Sequence, residues 1–173
     1  MNPEDRTEFL AILNQTRDDF LSSIAGVSDE QSRQKPDPDR WSILECAEHV
    51  VAAERIMFIM VTERCTPRTT PPTTREHEFF ARATDRSWKA VAPERVRPTG
   101  RIANLDEAAD KFREHRTRSI EFVNGCEKDL RALEIHHPLA GMVTAQECLA
   151  ILAMHPARHA AQIREVRQSL GIA

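Results

Sequence analysis

The chain has 173 residues, of which 40% are apolar and 29% are charged, and its formal net charge at pH 7 is −3. This length suits one domain with a buried core, and the acidic balance gives no long-range attraction to nucleic acid. Five glycines, the absence of tyrosine and an aromatic content of 5% argue against a sandwich or barrel built from aromatic-rich strands.

The first half of the chain contains two predicted long helices. Helix one begins after Asn2, a capping residue followed by a first-turn proline, and is closed by Gly26. Helix two begins at Ser42, where Ser42 and Glu45 have the spacing of a capping box, and runs to about Arg64. A short polar loop with two prolines is expected between them.

Two further long helices are predicted in the second half. Helix three begins at Asn104, followed three residues later by Glu107, and helix four begins at Thr144, followed by Glu147. Gly171 follows the last apolar residue of the helical pattern and is expected to end helix four.

The middle connection, residues 65–104, is long and rich in proline, and a short helix is expected inside it from about Thr74 to Thr84. Such a connection allows helix three to start at the same end of the molecule as helix two. We therefore predict an all-α fold: a four-helix bundle with a long crossover connection between helices two and three. One domain is expected to span residues 1–173.

Cysteine usage and hydropathy indicate the compartment. The four cysteines have no CxxC spacing, and Cys46, Cys126 and Cys148 lie in apolar helical segments, which favours buried free thiols over disulfides. The most apolar stretch, residues 56–62, is too short to span a bilayer, and the first residues lack the apolar run of a signal peptide. We expect a cytosolic protein without a membrane partner.

Three histidines form the main candidate site. His155 and His159 are four residues apart, so on a helix both lie on one face, and His49 of helix two falls at the edge of that helix's apolar side. A single inward histidine is more often a core residue bonded to a backbone carbonyl. Three of them each need a partner, which one shared cation supplies, and three protein ligands leave positions open for water or substrate.

The His155-x-x-x-His159 spacing does not match the zinc peptidases. Pro156 occupies the position of their general-base glutamate. Proline also cannot donate to the carbonyl of Leu152, so we expect a local kink, or a helix that restarts at this point.

Other polar residues are weaker candidates. Gln162 lies one helical turn after His159 and is expected to contact a ligand or the substrate, and His137 is expected to face the substrate or a turn. His77 is expected at the surface, and His115 in the core or at its rim. No general base or other catalytic residue can be identified. The two glutamates nearest His49 in the sequence, Glu45 and Glu48, are both expected to be solvated.

Three segments resemble the DinB / YfiT-like superfamily: Arg40–His49, His137–Thr144 and His155–Ile163. They carry Trp-Ser before a helix with a histidine, and His-x-x-x-His followed by Gln-Ile. The resemblance implies a four-helix bundle that holds a divalent metal, often nickel or zinc, on three histidines, which correspond here to His49, His155 and His159. Relatives implied by it include bacillithiol S-transferases and a mycothiol-dependent maleylpyruvate isomerase.

The predicted function is that of a metal-dependent enzyme, either a thiol S-transferase or a hydrolase, acting on a small molecule. The metal would lower the pKa of a bound thiol or water, and a low-molecular-weight thiol is a candidate cofactor. The alternative is a non-catalytic stress-response module that binds a metal or small molecule.

A homodimer is also predicted, because several apolar residues lie beyond a single helical stripe and a second copy would cover them. These residues are Ile120, Phe122 and Val123 in helix three and Phe79, Phe80 and Trp88 in the middle connection. The alternative is that the middle connection folds back and covers the same surface within one chain.

Overall fold

Most of the chain is helical in the computed structural model, which describes residues 1–69, 75–82, 84–87 and 91–172. The helices are α1 (Pro3–Ile24), α2 (Asp29–Arg33), α3 (Ile43–Glu63), α4 (Glu76–Arg82), α5 (Leu105–Gly125) and α6 (Ala145–Leu170). The strands are β1 (Thr66–Pro67), β2 (Leu133–His137) and β3 (Gly141–Thr144). The predicted helices one to four are therefore α1, α3, α5 and α6.

Helices begin where the capping patterns predict them. Ser42 accepts a hydrogen bond from the backbone N–H of Glu45, and the Glu45 carboxylate accepts one from the Ser42 backbone N–H. Thr144 and Glu147 make the same reciprocal pair at the start of α6, and Asn2 caps α1. These bonds satisfy amide groups that a helix end leaves unpaired, so they define where each helix begins.

The start of α5 is capped from one side only. The Asn104 side chain accepts from the Glu107 N–H at 2.9 Å, as predicted. The Glu107 carboxylate, however, accepts from the Ala103 N–H at 2.7 Å. It therefore binds the last part of the middle connection and does not complete a capping box.

The polar loop predicted between α1 and α3 contains an additional helix. Ser28 and Gln31 form a capping box at the start of α2, which ends at Arg33. The helix has only 5 residues, too few to show an apolar periodicity in the sequence.

The four long helices enclose the core, because α1 and α3 each pack against both α5 and α6. Phe20 of α1 contacts Phe112 of α5 edge-to-face, with 4.6 Å between ring centroids. Phe58 of α3 contacts Phe122 of α5 in the same way at 6.0 Å. Among the described residues, no helix combines the length and the apolar character needed to cross a bilayer.

Helix α6 continues through Pro156, so the alternative of a helix that restarts there is wrong. Thr16 of α1 donates a hydrogen bond to the Ala153 carbonyl at 2.7 Å, one turn before the proline. The turn that the proline weakens is thus held from the neighbouring helix.

A small antiparallel sheet with strand order β1-β2-β3 accompanies the mostly helical fold, and it was not predicted from the sequence. Ile135 pairs with Val143, and His137 pairs with Gly141 across the hairpin. Gly141 has a φ of +70°, which a residue with a side chain rarely adopts. The strands are too short to show a clear alternation of apolar and polar residues, which is why the sequence did not reveal them.

The middle connection packs against the bundle. The predicted short helix is α4, and Thr74, where it was expected to begin, lies outside the described residues, as does Trp88. Phe80 contacts Phe9 of α1 with 5.6 Å between ring centroids. Val123 of α5 is fully buried, and the other apolar residues named for a dimer are partly buried against the core: Phe79, Phe80, Ile120 and Phe122.

Candidate metal centre

The three candidate histidines meet at one point. His49 projects from α3, and His155 and His159 project from consecutive turns of α6. The Nε2 atom of His155 lies 3.2 Å from Nε2 of His49 and 3.2 Å from Nε2 of His159. All three nitrogens lie within 4.8 Å of one another, so these side chains could hold one metal ion.

Hydrogen bonds determine the tautomers of two of the rings. His49 Nδ1 donates to the Val96 carbonyl at 2.7 Å, and His159 Nδ1 donates to Gln162 Oε1 at 3.0 Å. Each Nδ1 atom therefore carries the proton, and each Nε2 atom presents a lone pair. The buried Nδ1 atom of His155 has no hydrogen-bond partner among the described residues.

The nitrogen donors fit a divalent cation. Between neutral rings, His155 could donate its one Nε2 proton to His49 or to His159, but not to both, so one contact would set lone pairs against each other. A shared cation accepts all three lone pairs. Ligand nitrogens bound to one ion at about 2.0–2.1 Å stand roughly 3.0–3.4 Å apart, which agrees with the observed 3.2 Å separations.

The rings are held in the neutral form that binds metals. Burial, followed by repulsion from the neighbouring His159, holds the pKa of His155 well below its usual value. Burial and then His49 lower the pKa of His159 in the same way. The pKa of His49 is also lowered by burial, and its bond to Val96 opposes this in part. These shifts favour the neutral form of each imidazole, in which one ring nitrogen keeps its proton and the other presents a lone pair.

Trp41 forms one wall of the centre. Its ring centroid lies 4.9 Å from that of His49 and 6.5 Å from that of His159. Because Trp41 directly precedes the capping residue Ser42, the cap of α3 also places the indole beside His49, which lies about two helical turns further on.

Gln162 is held from both sides. Its Oε1 atom accepts from His159 Nδ1 and, at 3.4 Å, from Nη1 of Arg86. Arg86 also makes a bidentate pair with Glu165 at 2.6 and 3.0 Å. The position expected for Gln162, beside a candidate ligand, agrees with this geometry. The sequence had no signal for Arg86, which comes from the middle connection.

Glu48 was predicted to be solvated, and this is wrong, since only 6% of it is exposed. Its carboxylate accepts hydrogen bonds from the backbone N–H groups of Thr99, Gly100 and Arg101 at 2.9, 2.9 and 3.2 Å. The prediction failed because a segment distant in sequence folds over this face of α3. Glu45 is bound at the helix cap and pairs with Lys35 at 2.9 Å.

The other candidate histidines are not part of the group of three rings that could share one ion. His137 is buried at the β2–β3 turn, where its Nδ1 accepts from the N–H groups of Leu139 and Ala140, each at 3.2 Å. His137 thus takes part in a turn, which is one of the two roles expected of it. His77 is exposed, as predicted, and His115 is partly buried at the rim of α5.

Comparisons with known proteins identify the family of this chain. Residues 12–163 match the sequence profile of the DinB superfamily. The uncharacterised protein YuaE of Bacillus subtilis (strain 168) is 26% identical over 164 residues, which cover 93% of this chain and 98% of YuaE.

A solved structure has the same fold. YfiT from Bacillus subtilis, described as a probable metal-dependent hydrolase with an unusual four-helix bundle topology, matches with a TM-score of 0.65. The match covers 100% of this chain and 91% of YfiT at 14% sequence identity, a level at which it shows the fold alone. Because the family profile spans most of the chain, including all three histidines, the chain belongs to the DinB superfamily.

Proposed function

We propose that this chain is a divalent-metal-dependent enzyme whose ligands are His49, His155 and His159. The observation that carries the proposal is the convergence of three Nε2 atoms. In His49 and His159 the Nδ1 atom donates a hydrogen bond, so the Nε2 atom of the same ring presents a lone pair. Zinc or nickel is the proposed ion, because imidazole nitrogen suits both.

The proposed reaction is attack of an activated nucleophile on a small electrophilic molecule. Three protein ligands leave coordination positions for other groups, and a divalent ion bound there lowers the pKa of water or of a thiol toward neutrality. Water would make the protein a hydrolase, as YfiT is described, and a low-molecular-weight thiol would make it an S-transferase, as the family resemblance implies. Within the chain, Gln162 would orient His159, and Trp41 would exclude water from one side of the rings.

The wider organisation forms part of the same proposal. A single functional unit would span residues 1–173, with the middle connection acting as a crossover between α3 and α5. Two contacts between α3 and α5 support the crossover: Glu54 pairs with Arg116, and Phe58 contacts Phe122. Residue numbers increase in the same direction along both helices, so the helices run parallel and the connection must return to the end where α3 begins. A cytosolic location accords with four free cysteines.

The test begins with metal content. The purified chain should contain a divalent metal by elemental mass spectrometry, and His159→Ala should lose most of it. His115→Ala is the matched control, because His115 is a partly buried histidine outside the centre and its loss should leave the metal in place.

Activity is tested next with the metal-loaded chain. A panel of esters and amides probes hydrolysis, and low-molecular-weight thiols paired with electrophiles probe S-transfer. Turnover that disappears on chelation and returns with zinc or nickel supports an enzyme. Full metal occupancy with no turnover across both panels would favour the non-catalytic binding module, and absence of metal from the wild type would end the proposal.

A further inference from the structure

Adjacent residues of α3 hold the same segment of the middle connection. Glu48 binds residues 99–101 through its carboxylate, and His49 binds the carbonyl of Val96 through Nδ1. Val96 lies three residues before Thr99 and is buried. The peptide that orients the His49 ring is therefore anchored by the side chain next to that ring.

The anchor is a backbone nest for a carboxylate. Gly100 has a φ of +77°, in the left-handed region that favours glycine, and this turns successive N–H groups toward one point. Oε1 of Glu48 accepts from the N–H groups of Thr99 and Arg101 and, at 3.3 Å, from the Thr99 hydroxyl. Oε2 accepts from the Gly100 N–H.

These bonds also exclude another role for the carboxylate. Both oxygens of Glu48 are occupied by donors of the nest, so the side chain is not arranged as a further ligand or as a general base. Among the described residues, the Val96 carbonyl is the polar contact that links this loop to the three rings.

We propose that Glu48 is a positioning residue for His49. By binding residues 99–101, Glu48 holds the Val96 carbonyl where it accepts the Nδ1 proton, and so keeps the Nε2 lone pair of His49 directed at His155. The consequence for metal affinity rests on the function proposed above. The consequence for the tautomer of His49 does not, since it is a property of the metal-free chain.

The experiment is nuclear magnetic resonance of the ¹⁵N-labelled, metal-free full chain, in which long-range ¹H–¹⁵N correlations distinguish protonated from unprotonated ring nitrogens. The His49 signals are assigned by their loss in His49→Ala. The wild type should show a single form protonated at Nδ1. In Glu48→Gln the side-chain NH2 group is a donor and faces the N–H donors of residues 99–101, so part of the anchor is lost. The Val96 carbonyl would then be held less firmly, and His49 should show a mixture of tautomers.

Metal affinity is the second readout. Competition with a chelator should show the zinc dissociation constant of Glu48→Gln raised about tenfold, the size expected for loss of a group that orients a ligand. Glu107→Gln is the matched control, because Glu107 binds the backbone of the same connection at Ala103, away from Val96. It should leave both the tautomer and the affinity of the wild type unchanged.

The outcomes separate the two proposals. Unchanged His49 signals in folded Glu48→Gln and Glu48→Ala would overturn the positioning role. If neither variant folds, Gly100→Ala replaces them, since a Cβ there meets no atom within 4 Å but opposes the left-handed backbone, and unchanged signals in it would overturn the role equally. If the wild type binds no metal but the tautomer of His49 still changes in Glu48→Gln, the proposed function is wrong and the positioning role of Glu48 stands.

Discussion

Glu54 of α3 and Arg116 of α5 form a bidentate ion pair with both side chains fully buried, at 2.8 and 2.9 Å. Arg116 also donates to the Leu13 carbonyl and the Thr16 hydroxyl of α1, and Ser119 donates to Glu54. The pair therefore joins three of the four long helices at the centre of the bundle.

Breaking this pair from one side should cost much of the protein's stability. Arg116→Met leaves the Glu54 carboxylate buried without a counter-charge, which costs about 3–5 kcal/mol. Glu54→Leu combined with Arg116→Met should be less destabilised than the single variant, because no buried charge remains. Urea denaturation measures both. Arg113→Met, which removes an exposed pair with Asp110, should change the unfolding free energy by less than about 1 kcal/mol.

Metal should stabilise the fold through the three histidines. A ligand that binds only the native state at a hundredfold excess over its dissociation constant adds about 2.7 kcal/mol. Zinc or nickel should therefore raise the unfolding temperature of the wild type in a thermal scan, and should not raise that of His155→Ala. His115→Ala should keep the wild-type shift. A metal-induced shift that survives in His155→Ala would exclude that ring as a ligand.

The unfolding free energy of the metal-free protein should fall as the pH falls below about 6.5. Burial lowers the pKa values of His155 and His159 in the native state, whereas unfolding restores the ordinary value of about 6.5. The unfolded state then binds more protons, so acid favours it by up to about 1.4 kcal/mol per pH unit for each ring. Denaturation at several pH values should show a shallower dependence in His159→Gln, and an unchanged slope would contradict this.

The cysteines should differ in reactivity. Burial raises the pKa of Cys46 and of Cys148 to about 12, whereas Cys65 is only partly buried, although burial raises its pKa as well. Since the thiolate is the reacting form, iodoacetamide in mildly alkaline buffer should modify Cys65 first. Mass spectrometry of digested samples follows each site. Labelling of Cys46 as fast as Cys65 in the folded protein would be incompatible with its burial.

We also predict a homodimer. Leu139 and Met142, at the β2–β3 hairpin, are 53% and 54% exposed and form an apolar surface, whereas Val123, which was named from the sequence, is fully buried. A second copy would cover such a surface by two-fold pairing. Light scattering at micromolar concentration should give twice the chain mass of 19.7 kDa. A single-chain mass would contradict the dimer and would show that contacts of the middle connection within one chain, such as Phe80 with Phe9, cover enough of the apolar surface.

Local patterns in the sequence predicted the long helices of the fold. Helix starts at Ser42 and Thr144 depend on residues three positions apart, and the shared face of His155 and His159 depends on residues four positions apart. The patterns failed for α2 and for the β2–β3 hairpin, because segments of 4 or 5 residues are too short for a period to emerge.

By itself, the sequence determined four amphipathic helices and the histidines that they carry, since helical periodicity and capping are properties of neighbouring residues. Only the tertiary structure decided that His49 meets the α6 pair, that the Val96 carbonyl sets its tautomer, and that Glu48 is buried beneath residues 99–101. These contacts join segments about fifty to a hundred residues apart. They follow from how helices and connections pack together, which no local pattern encodes.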